Sequence, residues 1–233
     1  MLTIMASCWL CRQPLWHSQH GVCSVCLRHL PALPPCCPRC GLPGGQPLRP
    51  CGRCLQKPPP WQALTAVGDY RPPLSTLLKQ FKFHAKTELA PLLARLILLR
   101  WLAGYRQYAY RDSPLWRRPE IVLSVPLHRR RQWARGFNQT ALLAAPLARW
   151  LGCRYQPLAL RRSRPTRIQQ RLNAAARRHN LHDAFSCSIA LTGKRVALLD
   201  DVVTTGSTVA EISRLLLARG AADVQIWCVC RTL

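Results

Sequence analysis

The segment Val196–Thr208, VALLDDVVTTGST, constrains the fold more than any other stretch of the chain. Four apolar residues run into paired carboxylates, Asp200 and Asp201. Two further apolar residues lead to Thr204, Thr205, Gly206, Ser207 and Thr208, and helical periodicity follows at Val209, Ile212, Leu215 and Leu216. An apolar run ending in acids reads as a buried strand, and the small-residue loop delivers the chain to a helix start. Such a joint suits a sugar phosphate, because free backbone N–H groups and the positive end of the helix dipole face outward there. Gly206 lets the main chain approach an anion closely. Four hydroxyls add donors, and the two carboxylates can accept from ribose hydroxyls or help hold Mg²⁺. The structural alternative is a capping box of Thr208 with Glu211. It accounts for one Thr and one Glu, but not for adjacent carboxylates in a chain with only nine acids.

At 233 residues the chain has room for one mid-sized domain and something small. Its 34 Lys and Arg against 9 Asp and Glu give a formal charge of +25, which favours an anionic partner such as nucleic acid, nucleotide or anionic lipid. The charge is uneven: sixteen arginines lie between Arg111 and Arg178 beside two acids, and the first sixty residues contain no acid. The longest apolar stretch, Leu89–Ala103, is broken by Arg95 and Arg100 and is too short to span a bilayer. The N-terminus lacks the basic region and apolar length of a secretory signal, so the expected compartment is the cytoplasm.

Thirteen cysteines are present, and eight of them form four C-x₂-C pairs: Cys8/Cys11, Cys23/Cys26, Cys37/Cys40 and Cys51/Cys54. Each pair can place two thiolates on one metal, and two pairs complete a tetrahedral sulfur site, so the pattern predicts two structural Zn²⁺ ions. Disulfides would not persist in a reducing cytosol. Sequential pairing, first with second and third with fourth, is the default arrangement, with a cross-braced one left open. Cys36 is a spare that could substitute for Cys37, whereas Cys153, Cys187, Cys228 and Cys230 read as core or incidental residues. A head this rich in Pro, Gly and Cys buries little core, so metal binding would supply its folding energy.

The run Lys57-Pro58-Pro59-Pro60 is a stiff spacer that marks a boundary between a zinc-ribbon module at 1–57 and a larger domain at 61–233. In the latter, strands are expected near 64–70, 120–126, 195–200 and 224–229. Helices are expected at 74–83, 89–102 and 138–151, with a polar loop at 104–119. Alternating elements with near-continuous apolar strands indicate an α/β fold with a parallel sheet, and ligands of such sheets sit beyond the strand C-termini. A second strand end, Ser124-Val125-Pro126, leads into Arg129, Arg130 and Arg135 before the helix start, where guanidinium groups could hold a diphosphate. Residues 158–185 fit either a mobile lid or a surface helix.

The 196–208 segment resembles the signature that type I phosphoribosyltransferases use for phosphoribosyl diphosphate (PRPP). The resemblance implies that Asp200 and Asp201 contact the ribose hydroxyls, with Mg²⁺ accompanying PRPP, and that Thr204 through Thr208 wrap the 5′-phosphate. Members acting on 6-oxopurines tend to carry Asp where this chain has Thr204, which argues against such a substrate. Over its whole length the chain is similar to the ComF/GntX family, and to its GntX-like branch in particular. The similarity rests on the paired cysteines, the strand ending Ser-Val-Pro, the Arg-Gly-Phe-Asn-Gln box at 135–139, the Thr166…Gln169…Asn180…Ala184-Phe185 segment and DDVVTTGST. It implies a type I phosphoribosyltransferase-like domain behind a double zinc ribbon, and a part in natural competence and the use of DNA. Three readings follow. The chain is an active phosphoribosyltransferase; or it binds a phosphoribosyl compound and single-stranded DNA, with Trp9, Trp16, Trp61 and Trp133 available for stacking; or its zinc head docks a protein partner. The second agrees best with charge, cysteines and resemblance.

Overall fold

The computed structural model describes residues 6–16, 21–44, 49–109, 116–127, 133, 135–162 and 184–232. The cysteine-rich head carries two single-turn helices, α1 (Ser24–Arg28) and α2 (Gly52–Gln56). The order that follows is β1 (Ala63–Gly68), α3 (Leu74–Phe83), α4 (Ala90–Ala109), β2 (Ile121–Ser124), α5 (Gln139–Leu151), β3 (Arg154–Tyr155), β4 (Leu160–Arg162) and β5 (Phe185–Cys187). The chain closes with β6 (Arg195–Leu199), β7 (Val202–Val203), α6 (Ser207–Ala218) and β8 (Asp223–Arg231). Five strands lie in the order β1-β8-β6-β2-β3, with β7 also against β8. Every pairing among these strands is parallel, while β4 and β5 form a separate antiparallel pair.

Strand residues alternate between two cores, as a period of two requires. Ala197 and Leu199, with Val122, Trp227 and Val229, face α3, α4 and α5. Val196 and Leu198, with Ile121, Leu123, Val224 and Ile226, pack with Val209, Ile212 and Leu216 of α6 and with the β4–β5 pair. The central strands are therefore apolar on both faces, the pattern expected of a sheet covered on both sides.

The head is fastened to this body. Cys8, Leu15 and Val22 join the core on the α3–α5 face. From the second half of the head, Pro38 O accepts from Leu64 N on β1 at 2.9 Å, and Arg39 O accepts from the Trp61 indole at 2.6 Å.

One expectation is corrected, and another falls mostly outside the described residues. The stretch 104–119 was expected to be a polar loop, but α4 continues to Ala109. Its added turns are largely exposed and are held by a few contacts. Trp101 and Tyr105 stack one turn apart at 5.0 Å, Trp101 donates to Gln225 at 3.1 Å, and Gly104 lies so near Trp116 that a Cβ would come within 2.9 Å of its ring. In the 158–185 stretch, the described ends form the β4–β5 ladder, with Arg162 opposite Phe185. Arg164, Thr166, Gln169, Arg178 and Asn180 lie outside the described residues.

Candidate functional site

Strand β6 stops at Leu199, opposite Trp227, and pairing with β8 resumes at Val202, opposite Cys230. Asp200 and Asp201 occupy the gap. Their main chain stays attached: Asp200 N donates to Trp227 O at 2.9 Å, and Asp201 O accepts from Val229 N at 3.1 Å and Cys230 N at 3.2 Å. The side chains differ. Asp201 is buried, ion-paired through Oδ1 with Lys82 Nζ at 2.8 Å, and its Oδ2 accepts from Gln139 Nε2 at 2.6 Å. Asp200 is partly exposed and its Oδ1 accepts from Asp201 N at 2.8 Å. Desolvation first, and then the Asp201 charge, push the Asp200 carboxyl up to about 7, against the opposing pull of the Asp201 N–H and of Lys82.

Beyond β7, Thr204 and Thr205 are exposed, and Gly206 turns the chain into α6 with φ 78° and ψ 4°. A side chain there would be strained by the left-handed conformation and would meet the Trp61 ring at 3.2 Å. Helix α6 begins at Ser207 behind that glycine. No capping box forms at Thr208, since Thr208 already lies inside the helix and Glu211 pairs with Arg214 at 3.0 Å. The Thr205 and Ser207 hydroxyls lie 2.9 Å apart at the helix entrance.

Arg231 braces this loop from behind. It is 6% exposed, its guanidinium donates to Val203 O at 3.1 Å and to Thr204 O, and its Nε donates to Cys40 O at 2.9 Å.

Of the residues expected to meet a diphosphate, Pro126 follows β2 and is partly exposed. Arg135 donates to Gln139 Oε1 at 2.7 Å and lies over the Phe83 ring at 5.4 Å. It is thereby joined through Gln139 to Asp201. Arg129 and Arg130 lie outside the described residues. Asn138 caps α5, accepting from Thr140 N at 3.1 Å. Thr140 Oγ1 donates to Val125 O at 2.8 Å, which fixes the helix start beside the end of β2.

Sequence reasoning missed Lys82, Gln139 and Arg231. Lys82 sits among the polar residues of an amphipathic helix and gave no signal. Gln139 lay inside the quoted Arg-Gly-Phe-Asn-Gln box without a role. Arg231 carried the best available clue, a charge directly after the apolar run Ile226–Cys230.

The cysteines gather into two groups, Cys8/Cys11/Cys23/Cys26 and Cys37/Cys40/Cys51/Cys54, with ligand atoms within 4.8 Å of one another in each. This is the sequential pairing, with Cys36 outside it. In both groups the first sulfur accepts from main-chain N–H groups, such as Cys23 N to Cys8 at 3.4 Å and Cys51 N to Cys37 at 3.3 Å. Burial opposes their ionisation, but these donors prevail and lower Cys8 to about 6 and Cys37 to about 7. Burial and neighbouring thiols instead raise Cys26 to about 12, and raise Cys54 as well. Four crowded sulfurs do not ionise together without a cation between them. A tetrahedral thiophilic ion resolves that conflict, so both groups could hold zinc.

A phosphoribosyl transferase domain family matches residues 139–233, which contain the acids, the loop and Arg231. The chain is 52% identical over 233 residues to DNA utilization protein YhgH of Salmonella typhi, covering 100% of both. It is 37% identical over 227 residues to Competence protein F of Haemophilus influenzae, covering 96% of both. The chain belongs to the ComF/GntX family. The match to the Salmonella typhi relative spans both the cysteine head and the sheet of this ComF/GntX member. Among the described residues, no helix of this family member is long and apolar enough to cross a membrane.

Proposed function

We propose that this chain binds PRPP or a related phosphoribosyl compound and acts in the uptake and utilisation of DNA, handling single-stranded DNA. One observation carries the reading: two carboxylates at the end of β6 are followed, five residues on, by a left-handed glycine at the head of a helix. Asp200, the more exposed acid, accepts from the ribose hydroxyls. Asp201, locked by Lys82 and Gln139, keeps the pair in place. The N–H groups and hydroxyls of Thr204, Thr205, Gly206, Ser207 and Thr208 receive the 5′-phosphate. The diphosphate falls to Pro126 and Arg135, with Arg129 and Arg130 assigned to it from the sequence alone, and Mg²⁺ accompanies PRPP, offsetting its charge.

Zinc at both cysteine centres cross-links a head, residues 1–57, that has little core of its own, ahead of a transferase-like domain at 61–233. The charge of +25 supports an anionic polymer as partner, and the name of the Salmonella typhi relative, a DNA utilization protein, supports DNA. Trp16 and Trp133, 95% and 89% exposed, are the rings best placed to stack on bases. The expected compartment is the cytoplasm.

An active phosphoribosyltransferase is a second reading, favoured by a partly exposed carboxylate, Asp200, standing six residues ahead of the glycine that opens the helix.

Calorimetry with PRPP, with and without Mg²⁺, tests the site in the wild type and in Asp200→Asn/Asp201→Asn. Binding that the double variant loses supports it; a folded, zinc-loaded wild type that does not bind refutes it. For DNA, affinity for a single-stranded oligonucleotide should fall steeply from low to physiological salt, and a flat response would sink that part.

A further inference from the structure

We infer that the second cysteine centre is the foundation of the anion-binding loop: Arg231 and Trp61 tie Cys37–Cys54 to residues 203–206, so that metal held there positions the loop, whereas the first centre does not. The inference rests on the phosphoribosyl reading for the identity of the ligand, but its geometry is independent of it.

The argument begins with the peptide plane. In a trans peptide the C=O and the following N–H point in opposite directions. Arg231 draws the carbonyls of Val203 and Thr204 inward, and Thr232 N adds a bond to Val203 O at 3.0 Å. The N–H groups of Thr204 and Thr205 are thereby turned outward, toward the side an anion would approach. Arg231 is a positioning residue in this sense, because it aims the donors without being one.

The guanidinium is itself held by the knuckle. Its Nε donates to the carbonyl of Cys40, one of the four sulfur residues. A Cβ at Gly41 would come within 3.4 Å of Arg231 Cγ and 2.6 Å of Leu64 Cδ2, so the knuckle packs directly on this side chain and on β1. Among the described residues the acceptors of Arg231 are carbonyls, and no carboxylate offsets its buried charge. Four thiolates around one divalent ion carry two net negative charges and would supply counter-charge to Arg231. A second strut runs through Trp61, whose indole donates to Arg39 O at 2.6 Å while its ring backs Gly206.

The first centre has neither strut. Trp9 N bonds to Gly21 O at 2.9 Å, and Gly21 abuts Leu92 of α4. Among the described residues no hydrogen bond joins the first centre to the loop.

Coupling between two sites is reciprocal: if the metal orders the loop for its ligand, the ligand must protect the metal. Zinc release from the full chain to a chromogenic chelator, with and without PRPP, reads this directly. PRPP is expected to slow release of one of the two ions by about tenfold, and the protected phase should persist in Cys11→Ser, which disables the first centre. Arg231→Gln should retain two zinc ions, bind PRPP about tenfold more weakly and lose the protection; tenfold corresponds to about 1.4 kcal/mol. Should that variant fail to fold, Trp61→Phe removes both the bond to Arg39 and the benzo edge that backs Gly206 while keeping an apolar ring in the core, and a loss in the same direction is expected. Equal protection of both ions, or of neither while PRPP binds, overturns the inference. If the wild type does not bind PRPP at all, the functional reading falls, and amide exchange decides the coupling. Removing the second zinc should then accelerate exchange at 203–206 and leave β2 unchanged; unchanged exchange at 203–206 refutes it.

Discussion

Replacing Lys82 by Met removes the cation from a pair whose side chains are only 15% and 8% exposed and whose atoms meet at 2.8 Å. Met fills most of the Lys volume, so the change is electrostatic more than steric. Breaking a buried ion pair from one side costs about 3–5 kcal/mol, because the remaining charge stays buried without its partner. Asp201 keeps the Gln139 bond at 2.6 Å, which favours the lower end, about 3 kcal/mol. At about 2–4 °C per kcal/mol for a chain of this size, the melting temperature should drop by about 6–12 °C. Adding Asp201→Asn removes the stranded charge, so the double variant should recover about half or more of the loss, and the cycle should show a coupling near 2 kcal/mol. Urea unfolding of the zinc-loaded chain near pH 8 measures all three variants. A Lys82→Met loss under about 1 kcal/mol, or a double variant as unstable as the sum of the singles, would refute the claim that this pair anchors the site.

Three further outcomes are expected. Gly206→Ala places a Cβ at φ 78° and 3.2 Å from Trp61; it should destabilise by about 1–3 kcal/mol and shift the Trp fluorescence spectrum, and an unchanged spectrum and midpoint would contradict the described loop. The Asp200 carboxyl is raised in the folded chain to about 7, so its contribution to stability is complete below its unfolded value near pH 4 and is lost as pH rises through about 7. Asp200→Asn should flatten the slope of stability against pH across that window, and an unaltered slope counts against the shift. Metal analysis should find two zinc ions per chain, and a strong chelator should remove both and lower the unfolding midpoint, since Cys8, Leu15 and Val22 belong to the main core; a stoichiometry of one would eliminate one of the two centres.

The long elements were legible because their periodicity is strong. Helix α3 spans the expected 74–83, and the strand runs 195–200 and 224–229 fall on β6 and β8. The acids, the glycine and the cysteine pairs were legible because local chain chemistry dictates what such residues do. Long-range partners were not. Nothing near Lys82 announces that it will meet Asp201, because the contact joins a helix end to a strand end more than a hundred residues away. The β4–β5 ladder escaped for the same reason, its three-residue strands lying more than twenty residues apart in sequence. The extra length of α4 was not legible because its final turns meet Trp116, a partner that periodicity does not reveal.

The break between β6 and β7 is a pause without a slip. Arg195 lies opposite Asp223, Leu199 opposite Trp227 and Val202 opposite Cys230, one constant offset across the gap. The acids thus occupy an open place in the ladder without adding a residue to it. Exchanging either one for another side chain leaves Val203 in the core and Gly206 at the head of α6. Inserting a single residue between them would turn Val203 outward and carry the glycine away from its left-handed turn. The arithmetic of the chain and the chemistry of the site are therefore held by different constraints. Side chains here can change and leave the loop standing, but the spacing from Leu199 to Gly206 cannot change without losing it.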